Sequence, residues 1–246
     1  MSAFGDKVQC RLDNLMSVAW SIRDGQAVPK TEDVALKNGA VKIEATYLYA
    51  DLADSTLLQK RYKPEFAAKV VRMYLAGASE VIRELGGSIK SFDGDRVMGI
   101  FVGKSMRNDA VNAALKINHM VDQMMNPVIK RRLAASNSTL WVVTHGIGID
   151  SGPAFIARGG IHNRSGEHNH NDLISIGEAP NIAAKLSGLR GSERGPITIT
   201  SRVYQYLNDA QKFGGTPKEH MWRDAWNVMA GPHTVSVRQS GWRRGL

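Results

Sequence analysis

Asp51 and Asp95 are two carboxylates whose surroundings in the sequence suggest chemistry. Asp51 directly follows an apolar, β-branched run that is typical of a buried strand, and Asp95 follows Asp93-Gly94, a strong hairpin signal. If that hairpin pairs beside the strand, the two carboxylates meet at one edge of a sheet and repel each other unless a cation lies between them. Hard oxygen ligands suit Mg²⁺ or Mn²⁺, and two such ions can activate a hydroxyl and stabilise a leaving oxygen.

The segment Asp93-Gly94-Asp95 also has a simpler interpretation. Alone it predicts no more than a tight turn, since Asp and Gly are common turn residues. The stronger signal follows Asp51, where residues 53–56 form a turn of small residues that leads towards the next helix. Successive backbone N–H groups in such a turn can bind phosphate oxygens.

The elements that must position these residues follow from hydrophobic periodicity and from turn residues. In chain order the sequence predicts a strand at 42–50, a helix from Pro64 to Gly86, strands at 88–92 and 96–102, a helix from Arg107, and a strand at 141–149. This is the βαββαβ order of a ferredoxin-like α/β sandwich, an α+β fold with helices on one face of an antiparallel sheet.

The second of these helices is predicted from one apolar stripe. Its members recur at spacings of three and four residues: Ala110, Ala113, Ile117, Val121 and Met124. Such spacing places the side chains on one helix face, which we expect to pack against the sheet.

The rest of the chain is less strongly patterned. Residues 1–40 predict at most a short amphipathic helix before the Asp24-Gly25 break, and residues 180–189 predict another short helix. Residues 159–171, rich in polar residues and glycine, predict an exposed loop or a long hairpin arm. Residues 197–201 predict a β-branched strand.

The composition is that of a globular protein with a basic surface. The chain of 246 residues has a formal net charge of +9 and one cysteine, Cys10, which excludes an internal disulfide and favours a reducing compartment. The sequence shows neither a signal peptide nor an apolar run long enough to span a membrane, so we expect a soluble cytoplasmic protein. Positive charge can attract nucleic acid, a membrane or a nucleotide, so the charge alone does not indicate which of these partners binds.

Two further groups of residues have structural interpretations that outweigh the functional ones. The histidines His162, His168 and His170 lie in a polar, glycine-containing stretch, so a solvated loop is favoured over a zinc site. The C-terminal tryptophans and arginines could stack on nucleic acid. A strand that packs Trp222, Trp226 and Trp242 against the core, with Arg223, Arg243 and Arg244 outside, is the better interpretation.

Four segments together resemble the class III nucleotidyl cyclase catalytic domain, the family of adenylate and guanylate cyclases. They occur in the family's order within roughly residues 41–206, at 49–56, 94–101, 146–153 and 177–186. The resemblance implies a catalytic domain at 41–246 that follows an N-terminal extension at 1–40.

The resemblance also implies a role for the first two segments. By similarity, Asp51 and Asp95 hold two Mn²⁺ or Mg²⁺ ions per site, with the carbonyl of Leu52 as a further ligand. The backbone amides of Ala53, Asp54, Ser55 and Thr56 would bind the β- and γ-phosphates of a nucleoside triphosphate. The family usually has glycine where Asp54 stands, and an acidic side chain near a triphosphate is unfavourable unless it points away.

Asn181 and Lys185 match the family's remaining catalytic positions. Asn181 matches the asparagine that positions the ribose, and Lys185 stands where the family has an arginine that stabilises the transition state. Their i, i+4 spacing places both on one helix face, but a lysine offers a point charge instead of a planar fork. Since the family builds each site from two subunits, the resemblance implies a homodimer with composite sites.

Three positions bear on the base. Ser91 and Ile174 stand where purine-specific members carry a lysine–aspartate or a glutamate–cysteine pair, and they fit neither. Tyr49 would narrow the base pocket and add a hydrogen-bonding phenol. The chain is therefore similar to the pyrimidine cyclases of bacterial anti-phage systems, which implies UTP, or else CTP, as substrate. An adenylate cyclase with atypical selectors, an inactive nucleotide-binding module and a nucleic-acid-binding protein remain as alternatives.

Overall fold

The computed structural model describes residues 2–135, 138–161, 170–189 and 194–246. The chain divides into two compact units. The first contains Met1–Glu44 and Pro153–Gly177, and the second contains Ala45–Gly152 and Glu178–Leu246. Within the described part of the chain, no helix is both long and apolar enough to cross a membrane.

The described elements are as follows. The helices are α1 (Ala3–Ser17), α2 (Ser55–Arg61), α3 (Pro64–Glu84), α4 (Met106–His119), α5 (Asn126–Ala134), α6 (Glu178–Leu186), α7 (Ser201–Tyr204) and α8 (Asp209–Lys212), with a 3₁₀ turn at Thr31–Asp33 and a π-helix at Met120–Met125. The strands are β1 (Ser21–Asp24), β2 (Gly39–Leu52), β3 (Ser88–Asp93), β4 (Arg96–Phe101), β5 (His145–Ile161), β6 (His170–Ile176), β7 (Ile197–Thr200), β8 (Phe213–Gly214), β9 (Glu219–His220), β10 (Trp226–Ala230) and β11 (His233–Ser240).

The first unit contains α1 and two strand pairs. β1 pairs in parallel with the start of β2, from Ser21 opposite Gly39 onwards. β6 pairs antiparallel with the end of β5, from Phe155 opposite Ile176 onwards. The hairpin-arm interpretation of residues 159–171 is therefore right for the residues at both ends of that range. The remainder of it, with His162 and His168, lies outside the described residues.

The second unit contains the predicted βαββαβ core, formed by β2, α3, β3, β4, α4 and β5. The strand order through this unit is β10-β11-β7-β5-β2-β4-β3. β4 pairs antiparallel with both β2 and β3, whereas β7 runs parallel to β5. The predicted α+β fold with a mostly antiparallel sheet is confirmed.

One face of this sheet carries the main hydrophobic core. Leu48, Ala50 and Leu52 alternate along β2 and pack in the same cluster as the buried residues of α3 and α4. α3 begins at Pro64, as predicted, because proline suits the first turn of a helix, where an N–H group needs no partner. The alternation leaves every second residue of β2 on the opposite face of the sheet.

The predicted stripe of the second helix fails at its last member. Ala110, Ala113, Ile117 and Val121 are buried, but Met124 is 48% exposed. The reason is the π-helix that follows α4, since its wider turn rotates the residues after it relative to a regular α-helix. Met125, which is 3% exposed, occupies the core position instead.

The strand predicted at 141–149 begins later and runs further than expected. Residues 141–144 are not in a strand, because the side chain of Asn126 takes the place of a neighbouring strand. Its amide oxygen accepts from Val143 N at 2.8 Å and its nitrogen donates to Val143 O at 3.1 Å. The strand continues beyond the predicted end at Ile149, as far as Ile161.

The expectation that helices lie on one face only is wrong. Ile147 and Ile149 point into the core beside α3 and α4, so Gly148 between them faces the other way. A Cβ at Gly148 would lie 2.1 Å from the carbonyl oxygen of Ala183. The α6 backbone therefore packs directly on the opposite face of the sheet, where only glycine permits so close an approach.

The C-terminal tryptophans pack inward as expected, although only Trp226 lies in a strand. Trp222 is 4% exposed and belongs to the main core, and Trp242 packs against the same core. Trp226 packs against a second cluster formed by α6, β10 and β11. The guanidinium of Arg194 stacks on the Trp226 ring at 4.6 Å from its centroid, so this arginine already has an aromatic partner within the chain.

A buried polar network fixes the segment that follows β11. His145 Nε2 lies 3.1 Å from the Asn118 side-chain oxygen, and the Asn118 nitrogen donates to the carbonyls of Gly241 and Trp242 at 3.1 and 2.9 Å. Tyr74 OH lies 3.5 Å from His145 Nδ1. A neutral imidazole fits this network, with Nε2 donating to Asn118 and Nδ1 free to accept from the Tyr74 hydroxyl.

This network predicts a loss of stability in mild acid. Burial lowers the pKa of His145 from 6.5 to about 4, and the charge of Asp122 opposes the shift only in part. Between these pH values the unfolded chain binds the proton and the folded chain does not, so the free energy of unfolding falls as the pH falls. We expect a decrease of roughly 3 kcal/mol, measured by urea denaturation between pH 7 and 4.

The variant His145→Gln serves as the control for this prediction. It keeps an amide near Asn118 and removes the titrating group, so the same pH series should become flatter. A pH dependence identical to that of the wild type would show that other groups cause it.

Candidate active site

Asp51 and Asp95 line one cleft of about 410 Å³ in the second unit. Asp51 is 4% exposed at the end of β2, and Asp95 is partly exposed in the two-residue loop between β3 and β4. The loop is held against β2 because Leu52 N donates to the carbonyl of Asp95 at 3.3 Å. The described residues that line the cleft are Asp51, Leu52, Asp54, Ser55, Thr56, Leu57, Lys60, Asp95 and Arg96.

Strand register places a cation beside the buried carboxylate. Arg96 on β4 is directly opposite Asp51 on β2 and Asp93 on β3, so the three residues form one row across the sheet. The Arg96 Nε lies 3.8 Å from Asp51 Oδ1. This guanidinium therefore offsets part of the negative charge on this face of the sheet.

Arg96 and Lys60 are cleft residues that sequence reasoning missed. A two-residue hairpin loop pairs Asp93 with Arg96, so the predicted hairpin contained the information that Arg96 shares a row with a carboxylate. Lys60 lies four residues after Thr56, which is the spacing of one helix face. Both basic residues give the cleft positive charge where a polyanion would lie.

The predicted phosphate turn lies at the start of α2. Asp54 has φ +57° and ψ +28°, the left-handed region that favours glycine, which explains why the resembling family has glycine there. Asp54 is exposed and its side chain makes no capping hydrogen bond. The Ala53 N–H donates to the carbonyl of Thr144 at 2.9 Å, so that amide already has a partner, and Ser55 and Thr56 border the cleft.

Asn181 and Lys185 lie together on the exposed face of α6. Both are exposed, whereas Ile182, Ala183 and Leu186 face inward. Neither Asn181 nor Lys185 is among the described residues that line the cleft of Asp51 and Asp95. The i, i+4 geometry predicted for the pair is present, and both side chains are accessible to solvent.

A buried carboxylate, paired with a partly exposed arginine, links the sheet to the first turn of α6. Asp150, fully buried at the middle of β5, accepts hydrogen bonds from Thr200 Oγ1 and Arg202 Nε, both at 2.6 Å. Arg202 Nη1 also lies 3.6 Å from Glu178 Oε2, at the first residue of α6. The hydrogen bond to Asp150 is the main cause of the raised pKa of Arg202. Through Arg202, the sheet orients the helix that carries Asn181 and Lys185.

The predicted base-pocket residues lie in two places. Tyr49 on β2 and Ser91 on β3 are both opposite Met98 on β4, so the three share one row and one face of the sheet. Burial raises the pKa of Tyr49, which keeps its phenol protonated. Ile174 lies on β6 in the first unit, opposite Ala157, and is 47% exposed.

Met98 is a further residue that sequence reasoning missed. It lies between Tyr49 and Ser91 and is 7% exposed. The signal was again the hairpin, because counting outward from its two-residue loop pairs Asp93 with Arg96 and Ser91 with Met98.

The donor set of the cleft fits a hard divalent cation. Two carboxylates and the Leu52 backbone lie together, and oxygen donors are those that Mg²⁺ and Mn²⁺ prefer. Within the described ranges, no group of three or more histidine, cysteine, aspartate or glutamate residues could hold a metal. An ion at Asp51 and Asp95 would therefore complete its coordination with carbonyl, water or substrate oxygens.

The fold is shared with solved cyclase structures. The crystal structure of the adenylyl cyclase CyaB from P. aeruginosa aligns with a TM-score of 0.63 at 22% identity, covering 83% of this chain and 97% of that one. At this identity the likeness concerns the fold alone.

Relatives at higher identity decide the family. No protein-family model matches the sequence. A uridylate cyclase of Rhodovulum sp. (strain MB263) is 37% identical over 244 residues, which cover 98% of this chain and 98% of that protein. The chain belongs to the class III nucleotidyl cyclase family. A uridylate cyclase of Burkholderia cepacia is also 37% identical, over 86% of this cyclase and 87% of its relative.

Family membership confirms the resemblance of the four sequence segments. The enzymes of this family typically use divalent metals and nucleotide substrates. The roles of single residues in this cyclase, and the boundary between residues 40 and 41, stay predictions.

The left-handed backbone at Asp54 predicts an unusual order of stabilities. We expect Asp54→Gly to be more stable than Asp54→Ala by about 1 kcal/mol, because only glycine adopts this φ without a steric cost. Asp54→Asn, which also tolerates the region, should lie between them and controls for the lost charge. Urea denaturation measures the order, and an alanine variant as stable as the glycine variant would contradict it.

Proposed function

We propose that this cyclase converts UTP to 3′,5′-cyclic UMP and pyrophosphate. The observation that carries the proposal is the position of Asp51 and Asp95 in one cleft, with Tyr49 two residues before Asp51 on the same face of β2. The two relatives named as uridylate cyclases support it, because they match most of the chain at 37% identity.

The chemistry is the attack of the ribose 3′-hydroxyl on the α-phosphorus. Asp51, Asp95 and the Leu52 carbonyl would hold Mn²⁺ or Mg²⁺, which when bound lowers the pKa of the hydroxyl and neutralises phosphate charge. Lys60 and Arg96 line the same cleft and balance the charge of the triphosphate. The residues of the chain thus supply positioning and electrostatic stabilisation.

The phosphates would lie at the turn that begins α2. The backbone amides of Asp54, Ser55 and Thr56 are the proposed donors, because all three residues line the cleft. The Ala53 amide is proposed as a donor only if it exchanges its bond to Thr144 for one to phosphate. Asp54 is exposed and also lines the cleft, so the proposal requires its carboxylate to turn towards solvent when a triphosphate binds.

The ribose and the transition state would be bound by a second copy of the chain. Asn181 and Lys185 are exposed on α6 and do not line the cleft of their own chain, as expected for residues that complete a partner's site. A homodimer would therefore contain two composite sites. Asn181 would position the ribose, and Lys185 would stabilise the charge that develops at the α-phosphate.

The base would lie against the row of Tyr49, Met98 and Ser91. A protonated phenol can donate one hydrogen bond and accept another, which suits the carbonyl and N–H groups of uracil. The phenol can pair with cytosine as well, so UTP is proposed over CTP because both of the relatives at 37% identity are named uridylate cyclases. Neither purine selector is present at Ser91 or Ile174, which argues against ATP and GTP.

Product analysis tests the proposal directly. Purified protein with Mn²⁺ is incubated with ATP, GTP, CTP and UTP separately, and the products are resolved by chromatography. We expect cyclic UMP and pyrophosphate from UTP. Asp51→Ala and Asp95→Asn should each lower kcat by roughly a thousand-fold or more, since a metal ligand supports several kcal/mol of transition-state stabilisation.

The matched control is Asp209→Asn, which removes a carboxylate that is 79% exposed and remote in sequence from the cleft. It should leave kcat unchanged. Cyclic AMP as the main product would favour an adenylate cyclase with atypical selectors. Nucleotide binding without turnover of any triphosphate would favour an inactive module and reject the proposed activity.

Tyr49→Phe tests the base-recognition part alone. Removing the phenol leaves the ring in place and should lower kcat/KM for UTP by about tenfold, because one hydrogen bond to the base is lost. The loss should appear mainly in KM, because the phenol contacts the base and not the reacting atoms. An unchanged kcat/KM for UTP would mean that the phenol does not contact the base.

A further inference from the structure

The turn between β10 and β11 lies against the ammonium group of Lys185. Gly231 in this turn has φ +67°, and a Cβ added there would lie 2.1 Å from Lys185 Nζ and 3.2 Å from Lys185 Cε. No side chain fits at this position while Lys185 keeps its place. The glycine therefore serves both the backbone conformation and the lysine beside it.

The packing around the turn explains why the two groups meet. Ile182 and Leu186 of α6 pack with Ala230 and Val237 of the β10–β11 hairpin in one buried cluster. The buried face of α6 thus sets the helix on the hairpin, and the aliphatic part of the Lys185 side chain extends along the turn.

The contact is important because Lys185 has few other constraints. A lysine side chain has four rotatable bonds and a strongly hydrated ammonium group, so it loses much conformational freedom when it is fixed. Among the residues that the structure describes, no carboxylate forms an ion pair with Lys185. Because Gly231 has no side chain, the space beside it is open to the Lys185 ammonium.

We propose that Gly231 is a positioning residue of the cyclase reaction, which gives the Lys185 ammonium its place for catalysis. This inference rests on the proposed role of Lys185 in the transition state. The turn acts on chemistry through the lysine and needs no contact with the substrate. Because the end of a lysine side chain moves easily, a Cβ at this position displaces the ammonium instead of unfolding the hairpin.

Gly231→Ala tests this with Gly86→Ala as the matched control. Gly86 has φ +78° after α3, and a Cβ there would meet no atom within 4 Å. Both variants carry similar backbone strain, so both should lower the urea midpoint to a similar extent. Only Gly231→Ala should lower kcat for UTP, by at least tenfold, with KM changed less than twofold. Equal kcat values for the two variants would overturn the proposal.

Lys185→Ala completes the test as a double-mutant cycle. If Gly231 acts through Lys185, adding Gly231→Ala to Lys185→Ala should change kcat less than twofold. A further tenfold loss in the double variant would mean that the turn acts by another route and would overturn the inference. Full activity of Lys185→Ala alone would instead reject the proposed catalytic role of the lysine.

Gly231→Asn keeps the test open if the alanine variant does not fold. Asparagine tolerates a positive φ better than alanine and carries the same Cβ. A folded Gly231→Asn variant with reduced kcat and unchanged KM supports the proposal. A folded variant with wild-type kcat contradicts it.

Discussion

The structure depends most on the antiparallel register of three strands. The two-residue loop of Gly94 and Asp95 pairs Asp93 with Arg96, and Arg96 in turn pairs with Asp51. This register alone places the loop carboxylate beside the end of β2. A slip of one residue would turn every side chain of the hairpin to the other face and separate the two aspartates. The proximity of the two aspartates is thus a consequence of backbone pairing.

The two faces of the sheet in the second unit are covered by different helices. One face is filled by α3 and α4 and supplies the hydrophobic core. On the other face, α6 covers the part of the sheet around Gly148. The same face of β2, β4 and β3 carries Tyr49, Met98 and Ser91, of which Ser91 is exposed. In the proposed homodimer, the strands of one chain would supply one half of a nucleotide site and the α6 helix of the other chain the complementary half.

The sequence predicted the element order and the cleft pair because both rest on local signals. Asp51 after an apolar strand and Asp95 after a glycine are visible within a few residues, and the hairpin joins them. The second face of the sheet was not predictable, since the approach of α6 to Gly148 depends on packing between distant segments. The exposure of Met124 likewise depends on a π-helix, which has no simple sequence signature. The predictions that rest on local residue preferences were therefore correct, whereas the features that were missed depend on packing between distant segments.

Arg96 resolves the difficulty that a pair of carboxylates creates for folding. Two aspartates at one sheet edge repel each other, and this repulsion would oppose the register on which the site depends. With its Nε 3.8 Å from Asp51, Arg96 supplies an internal cation, and it comes from the strand that the repulsion would displace. Arg96 therefore offsets part of this repulsion from within the chain. Because Arg96 is partly exposed, its guanidinium would also be available to an incoming triphosphate, so in the proposed site one side chain would serve both the fold and the charge balance.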